Sequence, residues 1–157
     1  TRQHSPILDD RENFSVVAVD SSFQRIISAN SQTISCWNPA TGSRLKTLDV
    51  GGIVSDVELS PNERLVASGS GGSLQVWDLQ TGDCLHTLSG YSISKLAWCD
   101  EEHILTCSLD TTLQLWSLTE ARCIRVFEGH TAAVNDIAVD ASGTLAVSGS
   151  EDQTVRL

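Results

Sequence analysis

The run SLQVWDLQTGDCLHTL, residues 73–88, decides the fold because its layout recurs on both sides of it. TISCWNPATGSRLKTL (33–48) and TLQLWSLTEARCIRVF (112–127) share its order of apolar residues, tryptophan, polar turn and second apolar run. Trp37, Trp77 and Trp116 stand 40 and then 39 residues apart. A second landmark keeps the same period: FSVVAVD, VSDVELS, ISKLAWC and VNDIAVD begin at 14, 54, 93 and 134. Four copies at one spacing are the signature of a repeat architecture.

Within each copy, short apolar runs alternate and are separated by Gly, Ser, Asn and Asp clusters, which is strand patterning without helical spacing. In the third copy the pattern predicts strands over Ile93–Cys99, Ile104–Leu109, Leu113–Leu118 and Cys123–Phe127. Four short antiparallel strands per copy make one small sheet with two apolar faces. Stacking such sheets around an axis buries both faces and leaves only short edges. The expected fold is all-β, a partial propeller of about four four-stranded blades, the first and last incomplete. The expected repeat cores are 14–49, 54–88, 93–127 and 134–157, with 1–13 as the end of a preceding blade or a linker.

Composition narrows the function classes. The chain has 157 residues, 40% hydrophobic and 19% charged, which suits one domain with a core. No apolar run approaches the roughly 20 residues that span a bilayer. The formal net charge is −10, and all of it falls in residues 50–157, because residues 1–49 hold as many bases as acids. Such a balance repels a phosphate backbone, so no nucleic-acid partner is expected, whereas a basic protein segment would be attracted. Cys36, Cys84, Cys99, Cys107 and Cys123 include no C-x-x-C pair, which points to free thiols rather than zinc or a disulfide framework. Free thiols fit a reducing compartment, so a cytoplasmic or nuclear location is expected, as part of a longer protein.

With Gly129-His130, the turn Leu59-Ser60-Pro61-Asn62, VSGSEDQTVRL (147–157) and Trp77-Asp78 ahead of LQTGDCLHTL, the chain resembles the WD-repeat propeller family over about residues 14 to 157. The resemblance implies a buried polar relay in each blade: a His before the inner strand, a Ser or Thr on the second, an Asp in the next turn and a Trp on the third. Each donor then meets an acceptor inside a dry sheet. Carried over by position, the fourth copy has His130, Ser148 and Asp152, with a Trp expected one residue past Leu157. The third has Thr106, Asp110 and Trp116 but no His, because its loop is two residues shorter. The second keeps Ser68 and Trp77 with Gly in place of the Asp, and the first keeps Ser28 and Trp37.

A His–Ser–Asp set invites a catalytic reading, yet Ser148 lies mid-strand without the strained elbow that exposes a nucleophile. No enzymatic activity, cofactor or metal is expected. CDEEH (99–103) reads as a solvated turn rather than a metal site. Cys84 and Cys123 recur at one repeat position and read as small packing residues, and Trp98 reads as core. The family implies protein or peptide binding through loops at one rim, where Tyr91, Leu109 and Glu151 are the candidate contacts. The expected function is a non-catalytic interaction scaffold within an intracellular protein or complex. The alternative is a regulatory propeller attached to a nucleotide-binding switch domain or serving a ubiquitin ligase as substrate receptor.

Overall fold

A computed structural model describes residues 14–70, 72–90 and 92–157. The described residues form fifteen strands and no helix. Blade 1 holds β1 (Val16–Val19), β2 (Ile26–Ala29), β3 (Thr33–Trp37) and β4 (Arg44–Asp49). Blade 2 holds β5 (Val54–Leu59), β6 (Leu65–Ser70), β7 (Ser73–Asp78) and β8 (Cys84–Ser89). Blade 3 holds β9 (Ile93–Trp98), β10 (His103–Ser108), β11 (Leu113–Ser117) and β12 (Arg122–Phe127). Blade 4 holds β13 (Val134–Val139), β14 (Ala146–Ser150) and β15 (Val155–Arg156). In every blade each strand pairs antiparallel with its neighbour in sequence. The strands expected for the third copy appear within one residue of their expected bounds at either end.

Local chemistry shapes the turns. In the two tight turns after the tryptophans, Asn38 Oδ1 accepts from the N–H groups of Ala40 and Thr41, and Asp78 Oδ1 from those of Gln80 and Thr81. Gly42 and Gly82 then take left-handed φ of 71° and 89° and donate back to the carbonyls of residues 38 and 78. That conformation explains the Thr-Gly pair in both copies, since a β-carbon is disfavoured there. Each of the first three blades also carries a register shift at its tryptophan, between Cys36 and Trp37, Val76 and Trp77, and Leu115 and Trp116. The bulge gives each outer ladder its local bend.

The core lies between blades rather than within one. Ile27, Ile34, Val57 and Val66 pack across the seam of blades 1 and 2, and Leu74, Val76, Leu96 and Ile104 across that of blades 2 and 3. Each such side chain stabilises by about 1.5–3 kcal/mol on burial. Repeat-equivalent positions show that neighbours do the burying: Val57 and Leu96 are each 4% exposed, whereas Val17, on the flank of blade 1 away from blade 2, is 67% exposed.

The inner strands β1, β5, β9 and β13 run side by side without a ladder. Their free N–H groups are met by side chains instead. Asp56 Oδ2 accepts from Leu96 N–H at 3.0 Å, and Glu58 Oε2 from Trp98 N–H at 2.8 Å. Lys95 Nζ completes the seam with Asp56 Oδ1 at 3.0 Å. Just past the C-terminal ends of β1 and β5, Arg25 bonds buried Asp20 and the carbonyl of Glu63, tying blade 1 to blade 2.

The cysteines need one correction. Cys36 and Cys107 are buried and half-buried Cys123 packs against the core between blades 2 and 3, as packing residues, but Cys84 is exposed on its outer strand. Trp98 is core, and its indole also donates to the Glu58 carbonyl at 3.2 Å. The segment 1–13 lies outside the described residues.

Candidate functional site

Among the described residues, the His–Ser–Asp part of the polar relay closes only in blade 4. His130 Nδ1 lies 2.8 Å from Asp152 Oδ2 and its Nε2 lies 2.9 Å from Ser148 Oγ. With the Asp carboxylate accepting from Nδ1–H, Nε2 accepts the serine hydroxyl, and that hydroxyl keeps lone pairs for a further donor. Asp152 also takes the Thr154 hydroxyl and the Thr131 N–H. Foremost the Thr154 hydroxyl, and then the Thr131 amide and the His130 ring, hold the Asp152 carboxyl far below the usual carboxylate range, against the opposing effect of desolvation. His130 and Ser148 are each 6% exposed, so the set is a buried tie between loop, strand and turn.

The other blades keep fragments of it. In blade 1 the Trp37 indole donates to Ser28 Oγ at 2.7 Å, and in blade 3 Trp116 donates to Thr106 Oγ1 at 2.9 Å. In blade 2 Ser68 and Trp77 keep the same register but do not meet: the hydroxyl and the indole N–H are both buried without a partner. Asp110 does not join a relay either. It accepts from the amide and hydroxyl of Thr112, while burial opposes and these bonds outweigh it to keep its carboxyl below the ordinary value. The short loop before β9 explains the missing imidazole: a β-carbon at Gly90 would already lie 3.0 Å from the Trp116 ring, so backbone packs against the ring there.

The loops entering the inner strands and the turns between second and third strands meet at one rim. Gly90 N–H donates to the Gly72 carbonyl, Leu109 N–H to Ser92 and Glu151 N–H to Ala133. Leu109 is 58% exposed there, and Glu151 is exposed too. Tyr91 lies outside the described residues. Sequence reasoning missed Ile53, which stands 73% exposed at the same rim in a Gly-Gly loop whose other apolar residue, Val50, is buried. It also missed Asp56 and Glu58, whose signal is two acids at alternate positions of an inner strand. Near the axis a cavity of about 580 Å³ is lined by Val17, Val57, Leu96 and Ile137 together with Asp56 and Asp136. No group of His, Cys, Asp and Glu among the described residues is arranged to hold a metal ion.

Residues 42–78, 82–117 and 121–157 each match the WD40 family, described as WD domain, G-beta repeat. The chain belongs to the WD40 family. Each matched WD40 segment starts at or before the outer strand of one blade and ends on the third strand of the next, so the repeat unit is offset by one strand from the blade. Among relatives, the chain is 32% identical over 88 residues to Protein Notchless of Drosophila melanogaster, covering 54% of this chain and 18% of that protein. It is 24% identical over 136 residues to the serine-threonine kinase receptor-associated protein of Homo sapiens, covering 85% and 39%. It is 40% identical over 74 residues to NACHT domain- and WD repeat-containing protein 1 of Mus musculus, covering 45% and 5%. The WD40 chain thus spans well under half the length of these relatives. The crystal structure of the computationally designed Ika4 protein superposes with a TM-score of 0.81 at 24% identity, covering 94% of this chain and 91% of that one, which shows the propeller fold. WD40 repeats act in general as interaction modules rather than catalysts, and none of these relatives is named as an enzyme.

Proposed function

We propose that this WD40 chain is a non-catalytic scaffold segment whose rim recruits partner proteins inside the cell. The observation that carries the reading is the rim itself: Ile53 and Leu109 present exposed aliphatic side chains from loops anchored by backbone hydrogen bonds, while the apolar residues between blades, such as Ile27, Leu74 and Ile104, are buried. Rigid loops on a sheet scaffold are where recognition residues concentrate. The buried relay of blade 4 serves the same end by holding the loop 129–133 in place. Five unpaired cysteines favour a reducing compartment.

Substituting Ile53 and Leu109 together with Ala in the full chain, followed by affinity capture, tests the reading. The expected result is loss of at least one partner with an unchanged circular dichroism spectrum. Retention of every partner would remove the rim from the interaction site.

A second reading, a regulatory propeller joined to a nucleotide-binding switch domain, draws support from the mouse relative named for both a NACHT domain and WD repeats. It predicts partner recovery that changes on addition of ATP, and constant recovery would count against it.

A further inference from the structure

Blades 3 and 4 hold out one side chain each at the same rim position, in matched turns. Leu109 N–H is tied to the Ser92 carbonyl at 3.3 Å, and Glu151 N–H to the Ala133 carbonyl at 2.9 Å. The next residues are fixed alike: Asp110 N–H reaches Ser108 Oγ and Asp152 N–H reaches Ser150 Oγ, both at 3.1 Å. Thr112 and Thr154 amides then close on the Asp110 and Asp152 carboxylates. Both turns place their fourth residue in the left-handed region, Thr111 at φ 80° and Gln153 at φ 67°. Two rigid mounts therefore differ chiefly in what they display: an aliphatic side chain on blade 3 and a carboxylate on blade 4. The side-chain amide of Asn135 reaches Glu151 Oε1 only at 3.5 Å, which leaves the carboxylate open to a stronger donor.

We propose that blades 3 and 4 read one partner segment through this pair, its aliphatic side chain packing on Leu109 and a Lys or Arg of the same segment pairing with Glu151. Charge complementarity favours that occupant. The rim residues 49–53, 90, 92, 109–111, 128–133 and 151–153 contain no Lys or Arg, whereas Asp49, Asp110, Glu128, Glu151 and Asp152 are acids. Arg156 of β15 lies against Gly129 at the edge of this rim, but the five acids outnumber it, so the field steers the approach of a partner cation. Pre-organised mounts lower the ordering cost of the contact. The proposal rests on the rim being the interaction face and specifies the partner's chemistry.

The test uses the full chain and fluorescein-labelled peptides in which one Leu and one Lys are separated by a variable number of Ser residues, with a matched Leu/Glu series, read by fluorescence anisotropy. The expected result is binding of the Leu/Lys series with an optimum spacing. Glu151→Lys should weaken it about tenfold and confer binding of the Leu/Glu series, and Leu109→Ala should weaken both. Equal binding of the two series by the wild type, no spacing optimum, or no effect of Glu151→Lys overturns the proposal. So does the absence of binding by the wild type. In each of these cases the capture experiment with Ile53 and Leu109 still decides the scaffold reading separately.

Discussion

At the scale of the residue, one hydrogen bond separates two serines at equivalent positions. Ser28 accepts the Trp37 indole, whereas Ser68 and the Trp77 indole lie buried without partners. Truncating a bonded buried hydroxyl strands its donor, at a cost of about 1–3 kcal/mol, whereas removing an unpaired one relieves a desolvation cost. Ser28→Ala should therefore lower the urea midpoint, and Ser68→Ala should leave it unchanged or raise it. His130→Ala strips the acceptor of Ser148 and should cost about 1–3 kcal/mol by the same measurement. Glu58 makes a separate prediction. Burial pushes its carboxyl above the usual range, with the Trp98 amide opposing and the nearby Asp56 carboxylate adding to the rise. A raised carboxyl means the folded chain holds that proton more tightly than the unfolded one, so the group favours folding at low pH and loses that contribution as pH rises through its folded pKa. Glu58→Gln keeps an acceptor for the Trp98 amide without the buried charge. It should raise stability at neutral pH, with a gain that shrinks as pH falls toward about 4, as followed by denaturation across pH. A gain that grows with acidification would contradict the sign.

At the scale of the element, turns and seams matter more than strand propensity. The turn between β13 and β14 places Gly143 at φ 70° against blade 3, where a β-carbon would lie 2.0 Å from the Cys99 carbonyl oxygen. Backbone cannot yield there as a flexible side chain would, so Gly143→Ala should force blades 3 and 4 apart. The expected outcome is a loss of about 1–3 kcal/mol and faster labelling of half-buried Cys99 by a thiol reagent. Unchanged labelling would show that the seam absorbs the methyl group. The same turn in blade 1 carries Phe23 at φ 53° and in blade 2 Glu63 at φ 60°, so the conformation belongs to the element, and glycine is demanded at 143 by the Cys99 carbonyl rather than by φ. Glu63 accepts the Ser21 amide of blade 1 at 2.7 Å.

At the scale of the molecule, stability is a sum over blades and seams, each blade touching its neighbours in sequence. His130→Ala in blade 4 and Glu58→Gln at the seam of blades 2 and 3 share no partner, so their effects should add within about 0.5 kcal/mol. A larger coupling, measured by a double-mutant cycle, would mean that strain passes through the intervening blade. The WD40 segments, which end on third strands and begin at or near outer strands, explain how the stack stays in order: each repeat contributes strands to two blades.

The repeat alone determined the strands, their order and the blade count, because a period near 40 with alternating apolar residues admits one compact solution: small sheets stacked face to face. It also located the relay residues of blade 4, since His130, Ser148 and Asp152 stand at spacings that a loop, a strand and a turn convert into contact. Only the tertiary structure decided which relays close. Ser28 and Ser68 occupy the same register against their tryptophans, yet one bonds and the other does not, and such side-chain geometry carries no periodic signal. It likewise revealed Asp56 and Glu58 as ties to Leu96 and Trp98, because those partners lie 40 residues away on a strand that shares no ladder with them. A repeat encodes what each unit shares. Contacts between units depend on where they differ, and those differences acquire meaning only when the blades are side by side.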